Sequence, residues 1–165
     1  NVSGTQFEIS DLQCELISAL QSHGVAPSLF AIEITETEIM HLDKSPLETL
    51  QQIKDMGISI ALDDFGMGYT SLRYLQSLHI DTLKLDACLV KDVTKSQVVR
   101  DIIVSMSNLS RSREVKLVAE WVSSSAQYET LMELGCDQFQ GRLFSMPINL
   151  YDLIKFCTEH SVASK

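Results

Sequence analysis

The sequence predicts an α/β fold built on a parallel sheet, and three observations carry that reading. Short apolar runs with strand-like alternation recur about six times, and a helical pattern follows most of them. Parallel strands need crossover connections, so this alternation implies a parallel sheet. No linker or low-complexity segment interrupts the series, which makes residues 1–165 a single domain. The strands also end, one after another, in a charged or amide side chain. Either a doubly wound sheet or a (β/α) barrel satisfies the pattern. A full barrel takes about 250 residues, so this chain falls short by roughly two units.

The elements follow in order. Asn1-Val2-Ser3 reads as the tail of a strand. Ser10 with Gln13 forms a capping-box pattern, and Leu12, Leu16, Ile17 and Leu20 make the apolar face of a first helix. Gly24 suits the position after its end. Residues 29–34 read as a strand leading into Glu33 and Glu36. Ser45, Pro46 and Glu48 then mark a second helix start, continued by Leu47, Leu50 and Ile53 and closed by Gly57. In residues 58–67, ISIALDDFGM, an apolar strand runs into Asp63 and Asp64 and then into a glycine-containing loop. Residues 70–78 read as a short helix with Leu72 and Leu75 inward, and residues 81–86 as a strand carrying Lys84. Residues 96–110 form a longer helix with Val99, Ile102, Ile103, Met106 and Leu109 as its stripe. Residues 115–120 are a strand ending in Glu120. Ser124 and Gln127 form another capping box, and that helix runs to Leu134 before Gly135. Residues 136–140 are a short strand, Gly141 a turn, and residues 150–160 a last helix.

Composition narrows the function classes. The chain is 45% hydrophobic with 7 Gly and 3 Pro in 165 residues, as expected of a folded globular domain. Its net charge of −9 argues against a duplex nucleic-acid partner, because that affinity rests on basic contacts to phosphate. A phosphate ligand would need a metal ion or local basic groups. No apolar run reaches the length of a membrane span, so no membrane contact is expected from this segment and a cytoplasmic location is. Cys14, Cys88, Cys136 and Cys157 are scattered, and three of them sit among apolar neighbours. They read as reduced thiols, with Cys14, Cys136 and Cys157 in the core.

The polar strand ends form a constellation of Asn1, Glu33, Asp63, Asp64, Lys84, Glu120 and Gln140. Strands of α/β folds deliver their site residues at their carboxyl ends. Two ionised carboxylates about 4 Å apart repel by roughly 4 kcal/mol at an effective dielectric near 20, a cost that a cation removes. Oxygen ligands suit Mg²⁺ or Mn²⁺. Four carboxylates, two amides and a lysine on one rim would suit a two-metal hydrolytic site. Taken singly, Glu33 reads as a strand-end charge, Lys84 as a surface lysine and Gln140 as a turn cap. Together they require several independent coincidences.

At this point the sequence resembles a known family. Asn1-Val2-Ser3, Glu33-Ile34-Thr35-Glu36, Asp63-Asp64-Phe65-Gly66 with Gly68-Tyr69, Leu83-Lys84-Leu85-Asp86, Val118-Ala119-Glu120, and Gln140-Gly141 with Leu143-Phe144-Ser145 are similar to the motifs of the EAL domain, the bacterial phosphodiesterase of cyclic di-GMP. The resemblance implies a modified TIM barrel with its site at the carboxyl rim. It implies an Mg²⁺ or Mn²⁺ pair and hydrolysis of cyclic di-GMP to linear pGpG. Asn1, Glu33, Asp63, Asp64 and Glu120 would be metal ligands, with Asp64 serving the second metal. Lys84 would contact the attacking water, and Gln140 would order the site. Glu36 would brace the loop at 64–69, with Phe65, Gly66 and Asp86 in supporting positions. A homodimer through this domain is also implied.

The sequence departs from the family pattern in three places. The Glu-Ala-Leu strand is expected to precede Asn1, together with the barrel's first strand. Trp121 stands where the family has a small residue, and Ser123 where it has a second acid. Met67 replaces a usual threonine. A degenerate domain that binds cyclic di-GMP, or a protein partner, without cutting is the alternative that Ser123 favours. An interaction scaffold has no use for clustered carboxylates. A lyase or isomerase on an ordinary barrel would want its lysine in an apolar pocket, whereas Lys84 lies among acids.

Overall fold

A computed structural model of the chain describes residues 1–9, 12–41, 44–66 and 79–160. Five parallel strands form one sheet: β1 (Ala31–Thr35), β2 (Ser59–Phe65), β3 (Thr82–Leu85), β4 (Lys116–Ala119) and β5 (Gln138–Phe139). They lie side by side in chain order. A doubly wound sheet reverses its order at a switch point. Sequential order is the arc of a barrel, and it decides between the two architectures left open above.

Helices fill the connections. α1 (Gly4–Ile9) and α2 (Leu12–Ser22) precede β1, and α3 (Glu36–His41) and α4 (Lys44–Asp55) join β1 to β2. α5 (Ala87–Asp92) and α6 (Gln97–Ser112) join β3 to β4. α7 (Ser125–Glu133) joins β4 to β5, and α8 (Leu150–His160) ends the described chain. The expected helix at 70–78, the Ser10 cap and Met67 lie outside the described residues. Among the described residues, no helix is long and apolar enough to cross a membrane.

Several sequence expectations shift. Residues 1–3 form no strand, although the Val2 N–H donates to the Glu33 carbonyl at 2.9 Å and so runs beside β1. The strand expected at 29–34 begins at Ala31, because Pro27–Leu29 forms a 3-10 turn whose first position takes the proline. α4 begins at Lys44, so Ser45 lies inside its first turn rather than capping it. α1, α3 and α5 are too short to show a helical period and were not expected. The Ser124 cap forms as read, with Ser124 and Gln127 exchanging both bonds of a capping box; the helix expected from residue 96 begins at Gln97, with Ser96 as its cap accepting from Val99 N–H.

The core lies between the sheet and its helices. Ile32, Ile60, Ile34, Leu62, Leu83, Leu85, Leu117 and Ala119 are buried and stand in register across the strands. Period-two alternation gives them one face, which packs against Ile53, Ile103 and Leu131 of the helices. The next residues in phase, Glu33, Asp63 and Lys84, therefore occupy the opposite face, the inside of the arc.

Carboxylates at the two ends of the strands do different work. At the amino end, Asp81 accepts from the Ile60 N–H at 2.8 Å and pairs with Lys54, and Asp137 accepts from the Leu117 N–H at 2.8 Å. These acids tie neighbouring strands together. At the carboxyl end, Glu33, Asp63 and Glu120 meet instead at the Lys84 side chain.

The cysteine expectation holds only in part. None of the four forms a disulfide, but Cys14 and Cys157 are exposed, as is Cys88, and only Cys136 is buried. Cys14 and Cys157 lie on the solvent side of their helices, which neighbouring residue types alone do not reveal. Burial, and then the charge of Asp137, push the Cys136 thiol up to about 12. The Cys88 thiol is raised by its hydrogen bond to Asp86 and by burial. A disulfide reagent at mildly alkaline pH is therefore expected to label Cys14 and Cys157 fast and Cys88 slowly. Cys136 should react only on unfolding, since the thiolate is the nucleophile. Four equal rates in the folded chain would contradict this burial pattern.

Candidate functional site

The cluster begins with a bulge. Leu62 stands opposite Leu83 and Phe65 opposite Leu85, so Asp63 and Asp64 together face the single position of Lys84. An extra residue re-aims the side chains around it. Asp64 absorbs the irregularity with a φ of +54°, and its N–H bonds to Asp63 Oδ1 at 3.0 Å. The bulge returns Phe65 to the core, where it is 8% exposed, and leaves both carboxylates on the cavity side.

Lys84 is the centre. Its Nζ lies 2.9 Å from Glu33 Oε1, 3.0 Å from Glu120 Oε1 and 3.3 Å from Asp63 Oδ1. Three strands thus contribute three carboxylates to one ammonium, which is 7% exposed. Burial alone would lower the Lys84 pKa. Hydrogen bonds to Glu33 and Glu120 and the charges of Glu120 and Asp63 outweigh it, and the net shift is upward. Burial raises the Glu120 carboxyl; Lys84 pulls it down and Asp63 pushes it up again. Partial burial raises Asp64 as well, followed by the charges of Asp63 and Asp86.

These groups open on one cavity of about 870 Å³. Asn1, Glu33, Asp63, Asp64, Lys84, Glu120 and Gln140, the whole strand-end set, line it. The remaining expected residues lie elsewhere. Glu36 is buried at the start of α3 and accepts the Gly66 N–H at 3.1 Å, which holds the first residue after β2. Asp86 caps α5 by accepting from the Cys88 N–H at 2.7 Å. Ser123 donates through its N–H and Oγ to Gln127 Oε1 and extends the α7 cap.

Sequence reasoning named Trp121 and Ser145 without placing them in the site, and it missed Arg142, Met146, Pro147 and Ile148 and, in α8, Leu153 and Phe156, which also line the cavity. Arg142 follows Gly141 directly after β5, a position at the same rim as Gln140 and so within reach of the rule that found the others. Nothing local in α8 marks Leu153 and Phe156 as cavity residues.

An all-oxygen donor set suits a hard divalent cation, and the carboxylates around Lys84 outnumber its single ammonium. Among the described residues, however, no three acidic, histidine or cysteine side chains surround a common point as ion ligands. Glu33, Asp63 and Glu120 surround the lysine nitrogen instead. Asp64 and Asn1 lie beside the cluster in the same cavity and add two oxygen-bearing side chains of the kind that suits a hard divalent cation.

Known proteins resemble this chain in sequence and in fold. The EAL domain family model matches residues 1–147. The bifunctional diguanylate cyclase/cyclic di-GMP phosphodiesterase MucR of Pseudomonas aeruginosa is 35% identical over 154 residues, covering 93% of this chain and 22% of MucR. The solved structure of the PaMucR phosphodiesterase in complex with c-di-GMP superposes with a TM-score of 0.87 at 35% identity, over 93% of this chain and 62% of that one. The Klebsiella pneumoniae BlrP1 manganese/cy-diGMP complex gives a TM-score of 0.84 at 31% identity, over 89% of this chain and 38% of that one. The chain spans about a fifth of the length of the curated relatives it matches. Sequence, fold and the carboxylates gathered at Lys84 agree: the chain belongs to the EAL domain family, a TIM-barrel type of α/β fold.

Proposed function

We propose that this chain supplies the carboxyl-rim site of a metal-dependent phosphodiesterase that opens cyclic di-GMP to linear pGpG. The observation that carries the reading is the convergence of Glu33, Asp63 and Glu120 on Lys84 within one cavity that also holds Asp64. The relatives named as cyclic di-GMP phosphodiesterases support the substrate class. Asn1, Glu33, Asp63, Asp64 and Glu120 would hold Mg²⁺ or Mn²⁺. Such ions supply an activated water and charge neutralisation at phosphate. The chain's own groups do the rest. Lys84 holds three carboxylates at fixed distances, one for each of its three ammonium donors, and is the residue proposed to contact the attacking water. The proton that the attacking water gives up would pass to a carboxylate of the site that is not engaged with an ion. Glu36 fixes the backbone after Asp64 through Gly66.

Binding without hydrolysis is the second reading, and it is favoured by Ser123, which stands where the family pattern has an acid. One experiment separates the two readings. Cyclic di-GMP is titrated calorimetrically in Ca²⁺, and pGpG is assayed chromatographically in Mn²⁺. Turnover in Mn²⁺ supports the enzyme, binding without pGpG supports the sensor, and the absence of both binding and turnover removes the cyclic di-GMP site from this chain.

Metal binding also has a stability signature. Mn²⁺ at about a hundredfold over its dissociation constant is expected to raise the melting temperature by roughly 5–10 °C, because a ligand of the folded state stabilises by mass action. An unchanged melting curve across a Mn²⁺ titration would remove the metal from the proposal.

A further inference from the structure

Trp121 is the single tryptophan of the chain, and packing does not account for it. Its side chain is 65% exposed, and its φ of +59° lies in the left-handed region that bulky residues rarely adopt. Backbone held in that region clusters at ligand sites. The residues on either side are buried: Glu120 in the carboxylate cluster, and Val122 without any exposure. Val122 donates its N–H to the Gln140 carbonyl at 3.0 Å and accepts from the Leu143 N–H at 3.0 Å. Gly141 packs so tightly on the Val122 backbone that a Cβ there would come within 2.1 Å of its carbonyl oxygen. The turn after β4 is therefore locked to the turn after β5, and the indole stands on a rigid base. It lines the same cavity as the carboxylates, together with Arg142.

A flat aromatic ring, exposed beside a site for phosphate, is a surface for a nucleobase. Every base offers a π face, and stacking needs no hydrogen-bond match. A guanidinium nearby adds planar stacking and a contact to phosphate or to the base edge. We infer that Trp121 is a stacking platform for a guanine ring of cyclic di-GMP whose phosphate sits at the carboxylate–lysine cluster, with Arg142 alongside. The inference rests on the function proposed above and adds the specificity of its base subsite. The preorganised backbone means that little freedom is lost when the base arrives.

The chain's single tryptophan makes the test direct. Cyclic di-GMP is titrated into the 165-residue chain in Ca²⁺, with binding read by calorimetry and indole emission read in parallel. Trp121→Phe and Trp121→Leu are titrated by calorimetry, and circular dichroism melts verify that both fold. The expected result is quenching of the emission with the calorimetric midpoint. Trp121→Leu should lose about fivefold or more in affinity, the low end for one base on one ring, and Trp121→Phe should keep most of it. Calorimetric binding with unchanged emission and an unweakened Trp121→Leu overturns the platform and leaves the cyclic di-GMP site standing. Equal losses in Trp121→Phe and Trp121→Leu also overturn it, since they assign the effect to the indole's bulk and not to an aromatic face. Absence of calorimetric binding in the parent chain overturns the functional reading as well.

Discussion

Replacing Lys84 by methionine is expected to destabilise the folded chain by about 3 kcal/mol at neutral pH, the range seen when one partner of a buried charge cluster is removed. The lysine is buried, and three carboxylates lie within 3.3 Å of its nitrogen. Methionine fills similar space and leaves Glu33, Asp63 and Glu120 facing each other without a cation. The loss depends on pH with a definite sign. Glu120 already has a carboxyl raised above 4.5 by burial, so its ionised form costs stability above that value. In the variant the carboxylates regain stability as they protonate, and the gap to the parent narrows as pH falls through the carboxylate range. At the alkaline end the order of effects reverses. The raised Lys84 pKa contributes stability that is fully present below its ordinary 10.5 and is lost as pH rises through the higher folded value. Urea midpoints across a pH series measure both limbs. A gap below 1 kcal/mol, or one that does not change with pH, would mean that Lys84 does not hold the cluster together. Activity, if the chain hydrolyses cyclic di-GMP, should vanish in the variant at every pH.

Gly141→Ala carries the second large effect, about 3 kcal/mol or more of lost stability. A methyl at this position meets Val122 O at 2.1 Å and Val122 N at 2.4 Å. Both are backbone atoms of a fully buried residue, which cannot step aside as a flexible side chain does. Relief requires parting the turns and giving up the bonds from Val122 N to Gln140 O and from Leu143 N to Val122 O, each worth about 1 kcal/mol, on top of the overpacking cost. The same movement displaces Trp121 and Gln140 at the cavity rim, so ligand affinity should fall with stability. A control such as Arg142→Ala, at an exposed neighbour, should leave the melting temperature within about 2 °C of the parent. Equal melting curves for Gly141→Ala and the parent would show that the two turns are not locked.

The legible parts of this protein are those whose cause is local. The Ser124–Gln127 box was readable because a capping box is formed by residues three apart. The strands at 59–65, 82–85 and 116–119 were readable because apolar residues two apart share a face. The strand-end set was readable because parallel strands present their carboxyl ends to one rim, and all seven members line one cavity. α3 and α5, at six residues each, fell below the length at which a period shows.

By itself, then, the sequence determined a parallel α/β chain with acids, amides and a lysine on one rim, since alternation and capping act over a few residues. Tertiary structure alone decided the rest. Sequential pairing of β1 to β5 made the sheet a barrel arc, because strand order is a contact between distant segments. The register of β2 on β3 created the bulge that turns Asp63 and Asp64 together toward Lys84. The contact of the Gly141 turn with Val122 set Trp121 at the cavity, and the packing of α8 placed Leu153 and Phe156 in the same lining. Each depends on which residues far apart in the chain touch, and no local pattern records that.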